Sequence, residues 1–456
     1  MSATEKRATL ALAGIYMLRM LGLFLILPVF SLYARQLPDA TPHLIGLAIG
    51  IYGLTQALLQ IPFGVLSDRY GRHVLIRIGL LIFAGGSFMA SMADSIYGII
   101  AGRALQGAGA IAGVVMALVA DLTREEHRTK AMALIGVSIG MSFAVSMVAG
   151  PVFAGWLGVP GLFWMIGALA LLAIIVLQTL VPTPAVSRFH RDAQANPAQF
   201  RSVVGNVELL RLNGGVFVLH MVLTAMFVVM PLVLRDTLGM ETARHWQVYL
   251  PVFVGSLLSM VPCIVLAGKG SFFKGIFLFG ILCVTAACAG LALGSSTLWS
   301  AAGFLYVFFT GFNLLEAMLP SLVARIAPPD LKGTAMGMFS TAQFLGAFAG
   351  GMLGGWVQGL AGIEAVFLVC AGAALLWLLM AFFMRPPKML RSRLLRLGEL
   401  TPETASRAAG RLRQVVGVAE AVVLADDGVA YLKVDPRLLD ELALWETVRE
   451  LVPSDA

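Results

Sequence analysis

The sequence predicts an all-α membrane protein of twelve transmembrane helices, arranged as two six-helix repeats and followed by a small α+β domain. Three observations carry that reading. The 456 residues are 59% hydrophobic and only 12% charged, with a mean hydropathy of +0.88, more apolar surface than one water-soluble core can bury. Apolar runs of about 20 residues, each long enough to cross roughly 30 Å of hydrocarbon as a helix, recur along residues 9 to 384. From about residue 388 the composition turns soluble. Run length and the lack of alternation exclude a membrane β-barrel.

The runs place spans near 9 to 34, 44 to 66, 74 to 93, 96 to 120, 131 to 157, 161 to 182, 213 to 234, 247 to 267, 272 to 293, 297 to 323, 334 to 358 and 363 to 384. The polar, proline-containing stretch TPAVSRFHRDAQANPAQFRSVVGNVELLR reads as a linker over 183 to 212. The expected organisation is therefore an N-terminal half at 1 to 182, the linker, a C-terminal half at 213 to 387 and a soluble domain at 388 to 456. The first span is too long for a signal-peptide core and reads as retained.

Loops after even-numbered spans hold Arg69, Arg72, Arg124, Arg128, Lys130, Arg188, Arg191, Arg201, Arg211, Lys269, Lys274, Arg325 and Lys332, against Arg35, Arg235 and Arg244 on the other side. The positive-inside rule then puts both termini in the cytoplasm. The net charge of +7 concerns topology and lipid headgroups, so the bilayer is an expected partner and nucleic acid is not. The four cysteines, Cys263, Cys283, Cys288 and Cys370, lie inside apolar runs without paired ligand spacing, so buried thiols are expected and no metal site.

The halves repeat. MALVADLTREEHRTKAMALIG followed by VAGPVFAGWL in the first is echoed by PSLVARIAPPDLKGTAMGMFS followed by FAGGMLGGWV in the second. Parallel six-helix repeats are an architecture of secondary transporters with a midplane site between the halves. Ionisable residues deep in hydrocarbon are costly and mark function. Four lie well inside spans: Arg19 in the first, Arg103 in the fourth, His220 in the seventh and Glu316 in the tenth. Their spacing of three helices suggests a polar pathway lined by spans one, four, seven and ten. Asn313 and Gln106 share a helix face with Glu316 and Arg103. Glu316 is the leading candidate for proton coupling, with His220 as its partner, because a carboxyl or imidazole group can change charge near neutral pH. The plainer readings are a satisfied hydrogen-bonding histidine at His220 and a structural or snorkelling arginine at Arg19. Gln56, Gln60, Gln343 and the many methionines are weaker candidates.

GVLSDRYGRH, residues 64 to 73, resembles the major facilitator superfamily signature G-x-L-x-D-R-x-G-R-[RK], with matches at Gly64, Leu66, Asp68, Arg69, Gly71 and Arg72. His73 stands where a second basic residue is usual. GRALQGAGA at 102 to 110 is similar to the family's fourth-helix motif, whose arginine falls on Arg103. SMVAGPVFAG matches the fifth-helix antiporter motif at Gly150, Pro151 and Gly155, with Ser146 and Ala154 in place of glycines. The pattern, tail included, looks most like bacterial members of the drug:proton antiporter group that carry a C-terminal ferredoxin-like domain. That resemblance implies the major facilitator fold, a role for Arg103 in proton transfer, protons and a small-molecule substrate as partners, and a multi-pass place in the bacterial inner membrane. A proton-coupled sugar or amino-acid symporter and a non-transporting sensor are the alternatives. No cofactor is implied, and the chain lacks the G-x-x-x-x-G-K-[ST] phosphate loop of ATP-driven machines.

In the signature loop, Gly71 permits the turn and Arg69 and Arg72 hold it on the basic side. Asp68 is expected to meet the positive N-terminus of the eleventh helix near Gly333 and Thr334, with Gly64 allowing close approach and Arg72 pairing with Asp121. Such a latch closes the cytoplasmic side and breaks when the protein opens inward. The tail reads β-α-β-β-α, with a first strand near 390 to 397. It contains no cysteine, which argues against metal carriage by a Cys-x-x-Cys loop. A regulatory module for a small ligand or protein partner and a stabilising appendage remain equal readings.

Overall fold

Capped apolar runs become helices in the computed structural model of the chain, which describes residues 1–183, 200–268, 272–328, 331–384, 390–398, 400–425, 428–435 and 438–451. Helix α1 (Ala3–Phe24) starts at Ser2, whose side chain forms a capping box with Glu5. After an irregular turn, α2 (Phe30–Ala34) completes the first crossing. Thr41 caps α3 (Pro42–Tyr70), with proline in the first turn. This helix ends at Gly71, whose φ of +90° suits glycine and starts α4 (Arg72–Ser91).

The fourth crossing is broken into α5 (Ile96–Ala108) and α6 (Ala112–Leu122). The break sits where Gly109 is pressed on Gly79, so closely that a Cβ on Gly109 would lie 2.3 Å from the Gly79 carbonyl oxygen. The fifth and sixth crossings form one element, α7 (Glu125–Leu180), which turns at Gly158 with φ +69°. A five-residue α8 (Phe200–Val204) precedes α9 (Val207–Leu232). Helix α9 starts before the expected residue 213 because Asn206 caps it, its Oδ1 accepting from the amides of Glu208 and Leu209. His220 is thus further from the helix start than the apolar run suggests. A π-helical turn (Val233–Thr237) and a 3-10 turn (Thr242–Arg244) lead into α10 (Trp246–Gly268), α11 (Phe273–Gly294), α12 (Leu298–Ile326), α13 (Lys332–Ala361) and α14 (Ile363–Phe382).

Among the described residues eleven helices are long and apolar enough to cross a membrane. One of them, 51 residues long, carries both apolar runs on either side of Gly158, which makes twelve crossings. Large apolar side chains such as Leu58, Leu258 and Leu376 are exposed on the outside of the bundle, as expected where lipid rather than water is the solvent. Most of the expected linker, with Arg188 and Arg191, lies outside the described residues, as do Lys269 and the expected domain boundary at 388.

The tail folds as β1 (Arg391–Arg396), α15 (Pro402–Gln414), β2 (Val418–Leu424), β3 (Val429–Val434) and α16 (Glu441–Leu451). Its antiparallel sheet has the order β1-β3-β2, with Leu395 opposite Ala430 and a bulge between Val418 and Glu420. Ala408 and Leu412 of α15 and Leu444 of α16 pack with Ala421, Ala430 and Leu432 of the sheet as a separate small core.

Candidate functional site

The helices enclose one large cavity of about 2120 Å3 between the halves. It opens at the end that carries the basic loops, past Asp68, Arg72, Asp121, Arg124 and Lys332, and reaches inward to Leu27, Ile49 and Tyr52. Spans one, four, seven and ten line it as expected, but two, five, eight and eleven do so equally, through residues such as Gln60, Phe143, Phe253 and Gln343. The polar pathway is therefore an eight-helix chamber. Away from the charged mouth the extra helices face it with neutral side chains, which carry no charge signal in the sequence.

The inner end is closed by rings and glycines. Phe143 of the N-terminal half stacks among Phe253, Phe309 and Phe312 of the other, at centroid distances of 5.5, 6.0 and 6.2 Å. Helices α3 and α13 touch backbone to backbone: a Cβ on Gly46 would lie 2.2 Å from the Gly351 oxygen, and one on Gly355 would lie 2.3 Å from the Pro42 oxygen. Small residues at such crossings allow this approach. Arg35 and Asp236, both half-exposed, add a 2.7 Å ion pair between the halves at the same end.

On the C-terminal wall, α9, α12 and α13 bring three polar groups together. His220 Nδ1 bonds the Val216 carbonyl oxygen at 3.1 Å, and its Nε2 lies 2.8 Å from Gln343 Nε2. These partners define an imidazole that donates from Nδ1 and accepts at Nε2 from the amide. The same amide lies 3.4 Å from Glu316 Oε1. Glu316 Oε2 is 3.7 Å from His220 Nε2 and has no hydrogen-bond partner. Asn313, one turn before Glu316, donates to Ser256 Oγ at 3.0 Å. Gln343 is the member that sequence reasoning ranks too low, since a neutral amide in an apolar run resembles ordinary packing.

On the N-terminal wall Arg103 is fully buried. Its Nη1 donates to Gln106 Oε1 at 2.9 Å, and Nε and Nη2 point at the carbonyls of Ala48 and Ile49 at 3.3 and 3.5 Å. Gln106 in turn donates to Ser87 Oγ at 2.7 Å. The Arg103 guanidinium lies 5.1 Å from the ring centre of Tyr52, another residue the sequence does not single out. Arg19 is not brought to the cavity wall. It sits behind Tyr52, with Nη2 donating to Gln56 Oε1 at 2.5 Å and to the Gly109 carbonyl at 3.0 Å. The broken fourth crossing supplies that carbonyl, because Gly109 lies outside both helical segments.

At the mouth, Arg72 gathers the signature loop. Its Nε is 2.7 Å from Asp121 Oδ2, and its Nη1 is 2.7 Å from Asp68 Oδ1 and 2.8 Å from Ser67 Oγ. Arg72 and Asp121 are almost completely buried, whereas Asp68 is partly exposed. Asp68 is engaged by Arg72 and does not reach Gly333 or Thr334. A Cβ on Gly64 would meet nothing within 4 Å, so the close approach expected at Gly64 is absent. The physical reason is the open mouth, which separates α3 from the start of α13. Arg69 is exposed, its guanidinium 5.5 Å from the Tyr70 ring.

The fifth-helix residues lie elsewhere. Gly150, followed by Pro151 within α7, meets the irregular turn of the first crossing, where a Cβ would lie 2.4 Å from the Leu25 oxygen. Gly155 faces Ala243 of the 3-10 turn in the other half. The tail sits under the mouth: Arg393, Tyr431 and Leu432 contribute to the cavity lining. Lys433 Nζ donates to the Ile326 carbonyl at the end of α12 at 3.2 Å and pairs with Glu420 at 3.2 Å. A cation there complements the helix dipole.

Two six-helix halves around one membrane-spanning chamber open at a single end define a polytopic protein of the secondary-transporter class. The Major Facilitator Superfamily model matches residues 12–351, and again 313–424. The chain is 43% identical over 452 residues, 99% of each chain, to the inner membrane transport protein YajR of Escherichia coli (strain K12). It is 25% identical to the multidrug resistance protein MdtH of Aeromonas salmonicida (strain A449), over 82% of this chain and 95% of that one. Among solved structures, the bacterial homologue of the human lysosomal transporter Spinster, inward-facing and unoccupied, superposes with a TM-score of 0.67 at 15% identity, covering 84% of this chain and 96% of that one. The chain belongs to the Major Facilitator Superfamily. Its relatives include the bacterial transporter type that the signature, the fourth-helix motif and the tail resemble.

Proposed function

We propose that the protein is a proton-coupled antiporter that exports small amphipathic molecules from the bacterial cytoplasm by alternating access. One observation carries this reading: a carboxylate, an imidazole and the amide that touches both form part of the wall of a chamber open at one end. Protonating His220 turns Nε2 from acceptor into donor. The Gln343 amide must then turn its oxygen toward the ring, and a charged imidazole faces Glu316. Proton uptake thereby changes both the charge and the hydrogen bonding of the surface that meets the cargo. Arg103 holds positive charge on the opposite wall. The aromatic floor and the methionines Met20, Met116, Met260 and Met336 on the walls suit apolar, variable cargo, and the name of MdtH points the same way.

In this reading the basic end is cytoplasmic, by the positive-inside rule, and the name of YajR supports an inner-membrane home. The chamber is then inward-open, and the Asp68 latch onto α13 belongs to the opposite state. The halves at 1 to 182 and 213 to 387 rock about the chamber, and the domain from 388 onward regulates from below. The test is reconstitution in liposomes under an imposed pH gradient, screening candidate compounds with wild type, Glu316→Gln and Arg103→Ala. Gradient-driven movement in wild type alone supports coupling. Equal movement by all three without a gradient overturns it, and co-movement with protons in the same direction assigns a symporter instead.

A further inference from the structure

Two guanidinium groups are buried in the N-terminal half with no carboxylate beside them among the described residues. Arg19 is 1% exposed and Arg103 0%, and the six apolar runs of this half contain neither aspartate nor glutamate. Arg103 is compensated by neutral dipoles, from Gln106 and two backbone carbonyls. Arg19 has only Nη2 engaged, while its Nε and Nη1 have no hydrogen-bond partner.

Two neighbours share this condition. Gln56 Nε2 and the Tyr52 hydroxyl are also buried and without partners. Gln56 already accepts from Arg19 and lies one turn along α3 from Tyr52. Both guanidinium groups lie near the Tyr52 ring, at 6.0 Å for Arg19 and 5.1 Å for Arg103. The unpartnered nitrogens of Arg19 and Gln56 carry hydrogens and can only donate, and the Tyr52 hydroxyl can donate as well. Water would accept some of these bonds and leave the charge uncompensated. An anion accepts from all of them and offsets the cost of burying charge.

We propose that the cluster of buried donors behind Tyr52, formed by Arg19, Gln56 and Tyr52 beside Arg103, binds one small monovalent anion. Its source is either a free halide or the carboxylate end of a cargo molecule entering from the chamber, which Tyr52 and Arg103 line. The occupant accepts from Arg19 and Tyr52 and screens the two guanidinium groups from each other. It also stiffens the broken fourth crossing, to which Arg19 is tied through the Gly109 carbonyl.

The experiment uses the purified full chain in detergent and follows thermal unfolding while sodium gluconate is replaced, at constant ionic strength, by sodium chloride, bromide or acetate. The expected result is a saturable rise in Tm, with an anomalous bromide peak within hydrogen-bond distance of Arg19 in crystals grown with bromide. A response to chloride and bromide but not acetate assigns a free halide, whereas an acetate response at least as large assigns a carboxylate. Arg19→Gln should abolish the response. Tyr52→Phe, which keeps the ring, should weaken apparent affinity about tenfold or more, the loss of one hydrogen bond to a charged partner. Identical melting in all salts without a bromide peak overturns the proposal, as does a salt response that Arg19→Gln and Tyr52→Phe leave unchanged.

Discussion

His220 Nε2 lies 3.7 Å from Glu316 Oε2, and the side-chain amide of Gln343 is in contact with both residues. Two titratable groups and a reversible amide therefore occupy adjoining turns of α9, α12 and α13. His220→Phe preserves the ring packing on Phe312, whose centroid is 5.9 Å away, and deletes the proposed proton site. Downhill movement of cargo should survive in this variant while pH-driven movement is lost. Gln343→Leu should lower the pH-driven rate roughly tenfold, the worth of about one hydrogen bond. Unchanged pH-driven flux in His220→Phe would reduce that residue to a packing role.

The two aspartates beside Arg72 should separate by burial. Asp121 is completely buried against Arg72 and Asp68 is partly exposed. Removing one partner of a buried pair leaves an uncompensated charge at a cost of about 3–5 kcal/mol, so Asp121→Asn should lower abundance and thermal stability. Asp68→Asn should insert and accumulate normally yet slow transport if the proposed outward-facing latch onto α13 operates. Quantitative blotting beside transport assays checks both. Equal loss of abundance in the two variants would make the loop a folding hairpin only.

Closure of the inner end should depend on glycine more than on charge. The Arg35–Asp236 pair is half-exposed, so it is worth about 0.2–1 kcal/mol and is weakened by salt. Gly46→Leu instead drives a side chain into the Gly351 carbonyl, an overpacking worth about 1–3 kcal/mol. Spin labels placed across that end should show a longer-distance population in Gly46→Leu, and a much smaller change in Arg35→Ala.

Lys433→Ala should release the tail from the end of α12 without unfolding it, since the small core of the tail is self-contained. Hydrogen exchange on the whole protein would then show faster exchange at the last turn of α12 and unchanged protection in β3. Within the tail, Arg393 holds the Glu441 carboxyl below its ordinary value. A depressed carboxyl contributes above its unfolded pKa and is lost only as pH falls through the lowered folded value. Their contact should therefore persist through the usual carboxylate range on acidification and break below it. Fluorescence of Trp445, four residues along α16 from Glu441, reports that step.

The order of the crossings is legible because apolar runs, caps and turn glycines all speak at once. Arg103 and Glu316 are conspicuous because charge is rare in hydrocarbon. Gln343 and Tyr52 are not, since amides and tyrosines occur in spans for many reasons and only three-dimensional proximity gives them a role. Arg19 shows the opposite difficulty. Its charge is visible, but whether it faces the chamber or the packing behind Tyr52 depends on helix rotation, which no charge count supplies. The closed end follows from pairs of glycines four apart, Gly46 with Gly50 and Gly351 with Gly355, a small-residue pattern whose partner helix the sequence does not name.

The α3–α13 contact has a thermodynamic consequence. Where bare glycine meets a carbonyl, no rotamers are frozen when the surfaces join and none are released when they part, so the side-chain entropy of ordering, up to about 2 kcal/mol for a long residue, drops out of the cycle. Under the proposed alternating access, these helices separate and rejoin along a hinge line with little to re-pack. In the proposed cycle, cargo and proton binding energy goes into tilting the halves rather than into reordering their contact.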